Sequence, residues 1–180
     1  MTTAREAPIL VRPGAEAERA RARVLVAPST ARGRTSLAML HEGRGLFWVA
    51  VCHDADADTV PGPAGLDASD AAGPIGDDAA DAGCAERLVG ILLADLQPDP
   101  ETGEPVGYIQ ELLVHPAYRR RGVAMHLLDA AERHFLGDQR CAGMMLITTP
   151  ENDAALRLYR SRGYGVDQVR LRKPRPDDHG

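Results

Sequence analysis

No stretch of the 180 residues approaches the roughly 18 consecutive apolar residues that a membrane span needs, so no membrane partner is expected. The opening residues, MTTAREAPILVRPG, hold one four-residue apolar stretch, too short for the core of a secretory signal. A cytoplasmic location is therefore expected. Cysteine is scarce: Cys52, Cys84 and Cys141 are odd in number, widely spaced and without a CxxC pair, which argues against a zinc ribbon or a redox pair. Cys52 and His53 are neighbours, but adjacent strand residues point to opposite faces, so a shared metal is not expected there. Lysine is nearly absent, with Lys173 set against 20 arginines. Excess positive charge is absent too. The net charge of −5 argues against a general nucleic-acid binder, whose non-specific affinity comes from neutralising phosphates.

What is present fits one soluble globular domain, with 44% hydrophobic and 26% charged residues. A chain of this length buries about 70% of its unfolded surface and needs no staples. Pro8–Arg12 (PILVR) reads as a first strand ended by Pro13-Gly14. Residues 15–26 read as a helix rich in Ala, Glu and Arg, and a second short helix follows around Ser36–His41. Leu46–Cys52 and Arg87–Leu96 are apolar runs of strand length. Between them, residues 54–86 are low-complexity Ala/Asp/Gly/Pro sequence, expected as a disordered acidic insertion in a hairpin. That segment is either a solvated linker or an acidic collar drawing in a cationic substrate.

Gly107–Val114 reads as a central strand stopped by Pro116. Ala124–Leu136 is the strongest helix, with Ala124, Leu127, Leu128, Ala131 and Phe135 on one face and Gly137 closing it. Cys141–Thr148 reads as a strand. Asn152 caps a helix that runs to about Arg162 and is closed by Gly163. Val169–Lys173 would be a last strand, and residues 174–180 form a polar tail. This order is not a repeating β-α alternation. It predicts an α+β domain over residues 1–173, with a mixed central sheet flanked by helices.

Chemistry concentrates in Leu112–Leu128, LLVHPAYRRRGVAMHLL. A strand ends, a short turn follows, and RRRGVA opens the strong helix. A helix N-terminus offers unpaired N–H groups and a positive dipole end, Gly122 permits close backbone approach, and arginines suit phosphate oxygens. Together they predict a pyrophosphate cradle. Three arginines alone would equally fit a solvated basic loop. A nucleoside-triphosphate loop needs G-x-x-x-x-G-K-[ST], which is missing.

These residues resemble a known family. L-x-V-x-P followed by [Q/R]-x-x-G-x-[G/A] is the acetyl-CoA signature of the GNAT superfamily of N-acetyltransferases. Here it reads Leu112-Leu113-Val114-His115-Pro116 and then Arg119-Arg120-Arg121-Gly122-Val123-Ala124. The second signature, N-x-x-A-x-x-x-Y-x-x-x-G-[F/Y], is matched by Asn152, Ala155, Tyr159, Gly163 and Tyr164. The resemblance spans about Arg87–Lys173 and is weak before it, where this family varies and shapes its acceptor site.

The resemblance implies the GNAT acyl-CoA N-acyltransferase fold and acetyl-CoA as co-substrate, with no metal. It implies that Leu113 and Val114 present backbone groups to the pantetheine arm, the Val114 amide polarising the thioester carbonyl. Arg119, Arg120, Arg121, Gly122, Val123, Ala124 and Met125 would surround the pyrophosphate, and Asn152 would contact the pantetheine or the splayed sheet beside it. Tyr159 would be the general acid at sulfur, or else a core aromatic. Glu111, which interrupts an apolar strand three residues before Val114, is the candidate general base, or else a structural carboxylate. His115 beside the cradle is either a titrating group or a turn residue.

The expected activity is acetyl transfer to a primary amine by direct attack in a ternary complex, with a small-molecule acceptor. The alternatives are a protein lysine or N-terminal acetyltransferase and a non-catalytic acyl-CoA-binding sensor. Ribosomal-protein alanine acetyltransferases of this family carry a glutamate five residues before the Asn, where this chain has Ile147. The C-terminus after Gly163-Tyr164 is short, so its closing strand is either abbreviated or supplied by a partner in a homodimer.

Overall fold

The structure, a computed structural model, describes residues 8–23, 25–26, 31–53 and 86–168. Most of the expected insertion, the expected strand Val169–Lys173, the tail and Cys84 lie outside the described residues. The chain divides into two units, Met1–Ile147 and Thr148–Gly180.

In the first unit the elements run β1 (Ile9–Pro13), α1 (Glu18–Arg23), α2 (Ala31–His41), β2 (Leu46–His53), β3 (Glu86–Pro98), β4 (Pro105–Val114), α3 (Val123–Glu132) and β5 (Gly143–Leu146). The sheet order is β1-β2-β3-β4-β5. The first four strands pair antiparallel and β4 pairs parallel with β5, so the sheet is mixed as expected. Glu86, expected as the last residue of the insertion, is instead the first of β3 and pairs with His53. Its carboxylate takes Arg12 Nη2 at 2.9 and 3.0 Å, which ties the strand's start to β1.

Alternation along the strands sends side chains to two faces. On one face Phe47, Val49, Ile91 and Leu93 form a core with Ala22 of α1 and Leu40 of α2. On the other, buried Leu127, Leu128, Ala131 and Phe135 line α3 and the turn after it. Glycines let this second face close. A Cβ on Gly90 would lie 3.0 Å from Val123, and one on Gly107 would lie 2.6 Å from the Phe135 ring.

Several element ends differ from expectation. Helix α1 is shorter than residues 15–26 because the Glu18 carboxylate reaches back to the Ala15 amide at 2.8 Å, holding residues 15–17 as a turn. Beyond Arg23 the bonds tighten to three-residue steps, Leu25 N to Ala22 O and Val26 N to Arg23 O. The buried stripe of α3 starts at Val123 while Ala124 is half-buried, because Val123 is the residue that meets Gly90. Gly137 does not close this helix. The chain continues through a π-helical turn, Arg133–Asp138, whose wider bonds include Gln139 N to His134 O at 2.9 Å. The wider turn accompanies the seating of Phe135 over Gly107, edge-on to Trp48 at 5.9 Å. The left-handed residue comes later, at Arg140 (φ 52°). Strand β5 is shorter than Cys141–Thr148: the Cys141 amide is taken by the Phe135 carbonyl, and pairing with β4 stops at Leu146.

In the second unit α4 (Asp153–Ser161) is capped by Asn152, whose side chain accepts from the Ala155 amide at 3.2 Å. Gly163, at φ 87°, follows it in the left-handed conformation that glycine adopts without strain. Cys52 and Cys141 are both buried. Among the described residues, no helix is long and apolar enough to cross a membrane, and no three His, Cys, Asp or Glu side chains are grouped to hold a metal.

Candidate functional site

Strand β4 carries two irregularities that shape the region around its end. Leu93 pairs with Glu111 but Ala94 pairs with Ile109, so Gln110 is an extra residue and the strand is bulged there. Pairing with β5 ends at Ile109↔Leu146, five residues before β4 ends at Val114. Past the bulge, the His115 amide donates to Val89 O of β3 at 2.8 Å. Successive strand residues direct their backbone groups to opposite edges, so the Val114 amide turns away from β3, toward the edge that β5 leaves unpaired. The same alternation turns Leu113 toward β3. Of the two residues named from the resemblance, Val114 therefore has its amide aimed at the open edge.

A short 3₁₀ turn, Pro116–Tyr118, leads from β4 to the arginines. Tyr118 is buried, and the Arg121 guanidinium lies 5.1 Å over its ring, which anchors that side chain by cation–π attraction. Arg119 Nε donates back to Val114 O at 3.4 Å. Arg119, Arg120 and Arg121 are all exposed. The backbone takes left-handed φ at Arg120 (61°) and Gly122 (77°), the alternation that curls amides into an anion-binding nest.

Gly122 is the N-cap of α3 and supplies no side-chain cap to the helix's first amides. A Cβ there would meet only the His126 ring, at 3.6 Å, in ordinary contact. The protein itself thus leaves room above Gly122, and the missing Cβ keeps the helix N-terminus open to a ligand. Val123 is buried, so only its backbone can face the loop, while Met125 is exposed beside it. Open amides at a helix N-terminus, left-handed backbone and cationic side chains are the parts from which anion-binding loops are built.

His115 bridges strand and turn, its Nδ1 accepting from the Ala117 amide at 3.3 Å. Burial, then the positive charges of Arg87 and Arg119, hold its pKa below the ordinary histidine value, so it is neutral at pH 7. That geometry is a turn residue's. Glu111 is half-buried, and Ser36 of α2 donates to its Oε2 at 3.1 Å. Sequence reasoning missed Ser36, a hydroxyl directly before the apolar run Leu37–Leu40; the signal was a polar residue on the inward face of a short helix.

Asn152 and Tyr159 lie in the second unit. Tyr159 packs edge-on to Tyr164 at 5.7 Å, and the Tyr164 amide donates to Tyr159 O at 3.0 Å. No residue of α4 is fully buried.

Residues 37–164 match the family model described as "Acetyltransferase (GNAT) family". The chain belongs to that family. Its motif order on β4, α3 and α4 is the order in which the two signatures were read. The chain is also similar over 74 residues to the N-terminal acetyltransferase A complex catalytic subunit ard1 of Schizosaccharomyces pombe, at 34% identity. Over the same length it is 35% identical to the N-alpha-acetyltransferase daf-31 of Caenorhabditis elegans. Each match covers 41% of this chain and 42% or 40% of the relative, so the chain spans about two-fifths of the curated relatives it matches. Among solved structures, the aminoglycoside N-acetyltransferase AAC(6')-Iy in complex with CoA aligns over 97% of this chain and 99% of its own, with a TM-score of 0.64 at 18% identity. That likeness speaks for the fold.

Proposed function

We propose that this GNAT-family protein transfers an acetyl group from acetyl-CoA to a primary amine of a small molecule, by direct attack in a ternary complex. The observation that carries the reading is Gly122: a left-handed residue at the mouth of α3 where a Cβ would meet nothing nearer than the His126 ring at 3.6 Å, just past a strand whose Val114 amide faces the edge that β5 leaves unpaired. Acetyl-CoA supplies the activated acyl group. The chain's own residues then have defined tasks. The amides from Gly122 to Met125, with Arg119, Arg120 and Arg121, hold the pyrophosphate, and Asn152 contacts the pantetheine arm.

The acceptor must attack as a neutral amine, so Glu111 takes a proton from the ammonium. The amine nitrogen bonds to the carbonyl carbon, charge grows on the carbonyl oxygen, and the Val114 amide offsets it. As the carbon–sulfur bond breaks, its electron pair goes to sulfur and the Tyr159 hydroxyl supplies the proton, while the surplus proton on the former amine nitrogen is released and restores the Tyr159 phenol, leaving a neutral amide and a free thiol. A phenol with an ordinary pKa near 10 can protonate a thiolate without ionising at rest. Tyr159→Phe should therefore lower kcat by roughly 10²–10⁴ while acetyl-CoA affinity holds. Unchanged turnover would move the acid role to water.

A second reading has a specific observation behind it: the 34% and 35% identity to N-terminal acetyltransferases. Against it stands Ile147, where the ribosomal-protein alanine acetyltransferases of this family have a glutamate. Thiol release from acetyl-CoA, measured against polyamines, aminoglycosides, lysine peptides and peptides with free N-termini, separates the readings. Turnover of a small amine is expected. Turnover of free N-termini alone would establish the second reading, and tight coenzyme A binding with no turnover of any amine would make the protein a sensor.

A further inference from the structure

Ser36 lies in α2 with 0% of its surface exposed, and it donates to Glu111 from 75 residues away in sequence. A hydroxyl is a poor choice for that position on grounds of stability alone. Serine is a weaker helix former than alanine or leucine, and a buried hydroxyl must find a partner to offset its lost water. Its neighbours along α2, Met39 and Leu40, join the apolar cluster under this face, which an aliphatic side chain at 36 would extend. Among the described residues, the partner of that hydroxyl is the carboxylate of Glu111.

Glu111 is also where β4 departs from regular pairing. The extra residue, Gln110, directly precedes it, and bulges re-aim the side chains beside them. Gln110 Nε2 is itself turned to Asp95 Oδ1 at 3.1 Å. A carboxylate next to a bulge gains rotational choice that a base working on one proton does not want. The Ser36 bond removes that choice from one oxygen.

We propose that Ser36 is a positioning residue: its buried hydroxyl pins one oxygen of Glu111 so that the carboxylate meets the acceptor's ammonium proton in a single orientation. This rests on the reading of Glu111 as the base. On β3, Asp95 holds Gln110 Nε2 at 3.1 Å, and α2 contributes the Ser36 hydroxyl to Glu111. A donor on the carboxylate favours its ionised form. Loss of the Ser36 hydroxyl removes that donor, so the proton affinity of Glu111 should rise.

The test uses the full chain with ¹³C-carboxyl-labelled glutamate, the Glu111 resonance being identified by its loss in Glu111→Gln. In Ser36→Ala the Glu111 titration midpoint should move up by about one pH unit. The acidic limb of kcat/KM, measured with acetyl-CoA and an amine accepted in the thiol-release panel, should move with it, while KM for acetyl-CoA stays put. Ser36→Cys keeps the volume with a much weaker donor, so it should show the same shift even if the alanine variant folds poorly. A midpoint and limb that stay at their wild-type positions in both variants, with Glu111→Gln inactive, would overturn the role of Ser36 and leave Glu111 as base. If Glu111→Gln keeps both turnover and the acidic limb, Glu111 is not the base and the role of Ser36 falls with it.

Discussion

Against one face of the sheet α3 lies so close that glycines decide the contact, whereas α1 and α2 meet the other face through buried polar side chains as well as apolar ones. On the α3 face, Gly90 and Gly107 make room for Val123 and Phe135, and the loop at its head offers backbone amides. On the α1–α2 face, Glu18 and Ser36 are buried and reach Arg12 and Glu111. A site made of backbone needs space and tolerates changes in side-chain charge; one made of side chains depends on which residues supply the charge. In the proposed function the cofactor falls to the first design and the amine acceptor to the second.

The largest contrast should come from Arg12→Met. Glu18 is buried, and Arg12 meets it at 2.7 and 3.0 Å. Burial pushes the Glu18 carboxyl up, and the Arg12 guanidinium and Ala15 amide more than offset that, leaving it below the usual carboxylate range. Removing Arg12 strands that charge, at a cost of roughly 2–3 kcal/mol at pH 7, less than for a fully buried pair because Arg12 is partly exposed. A depressed carboxylate pKa stabilises the fold above the unfolded-state value and loses that contribution as pH falls through the folded-state value. Urea midpoints of wild type and variant should therefore differ most at neutral pH and converge in acid. A difference that persists unchanged into acid would mean the loss is packing, and the contrast between the faces would blur.

Gly107→Ala probes the α3 face. The added methyl would sit 2.6 Å from the Phe135 ring, so the ring must shift, costing about 1–3 kcal/mol. The clash is between apolar groups, but the His134 ring lies 5.2 Å from the Phe135 ring, so the comparison is made in a His134→Gln background, where the loss should be the same from pH 5 to 8. A pH-dependent loss would show that the α3 face also rests on charge.

The smallest effect is expected from Arg119→Gln combined with Arg121→Gln. These side chains are exposed, so the fold should not respond, but coenzyme A affinity should drop by about tenfold, about 1.4 kcal/mol, with pantetheine unaffected. Equal weakening of both ligands would mean the arginines do not hold phosphate.

The α3 half was legible in the sequence because its signals are local. Gly122 opens a helix, Asn152 caps one and Gly163 closes it, and each does its work within a few residues of its own position. The π-helical turn was not legible: a one-residue widening leaves the apolar spacing of Leu128, Ala131 and Phe135 intact, so Gly137 looked like the stop. The bulge at Gln110 is set by pairing with Leu93 and Ala94, which no window on β4 contains. Ser36 and Glu111 are read as a pair only once α2 is laid on the sheet. Glu86 looked like the end of the acidic stretch because its partner, Arg12, lies in the first strand.

Calorimetric titration of coenzyme A into Gly122→Glu tests the central claim most directly. The substitution adds bulk and negative charge at the head of α3, where the protein offers only the His126 ring at 3.6 Å. The left-handed backbone should cost about 1–2 kcal/mol of stability, which leaves the fold intact. Wild-type protein should bind coenzyme A, and the variant should give no binding heat at concentrations that saturate the wild type. Wild-type affinity in a folded Gly122→Glu variant would place the pyrophosphate elsewhere and contradict the account.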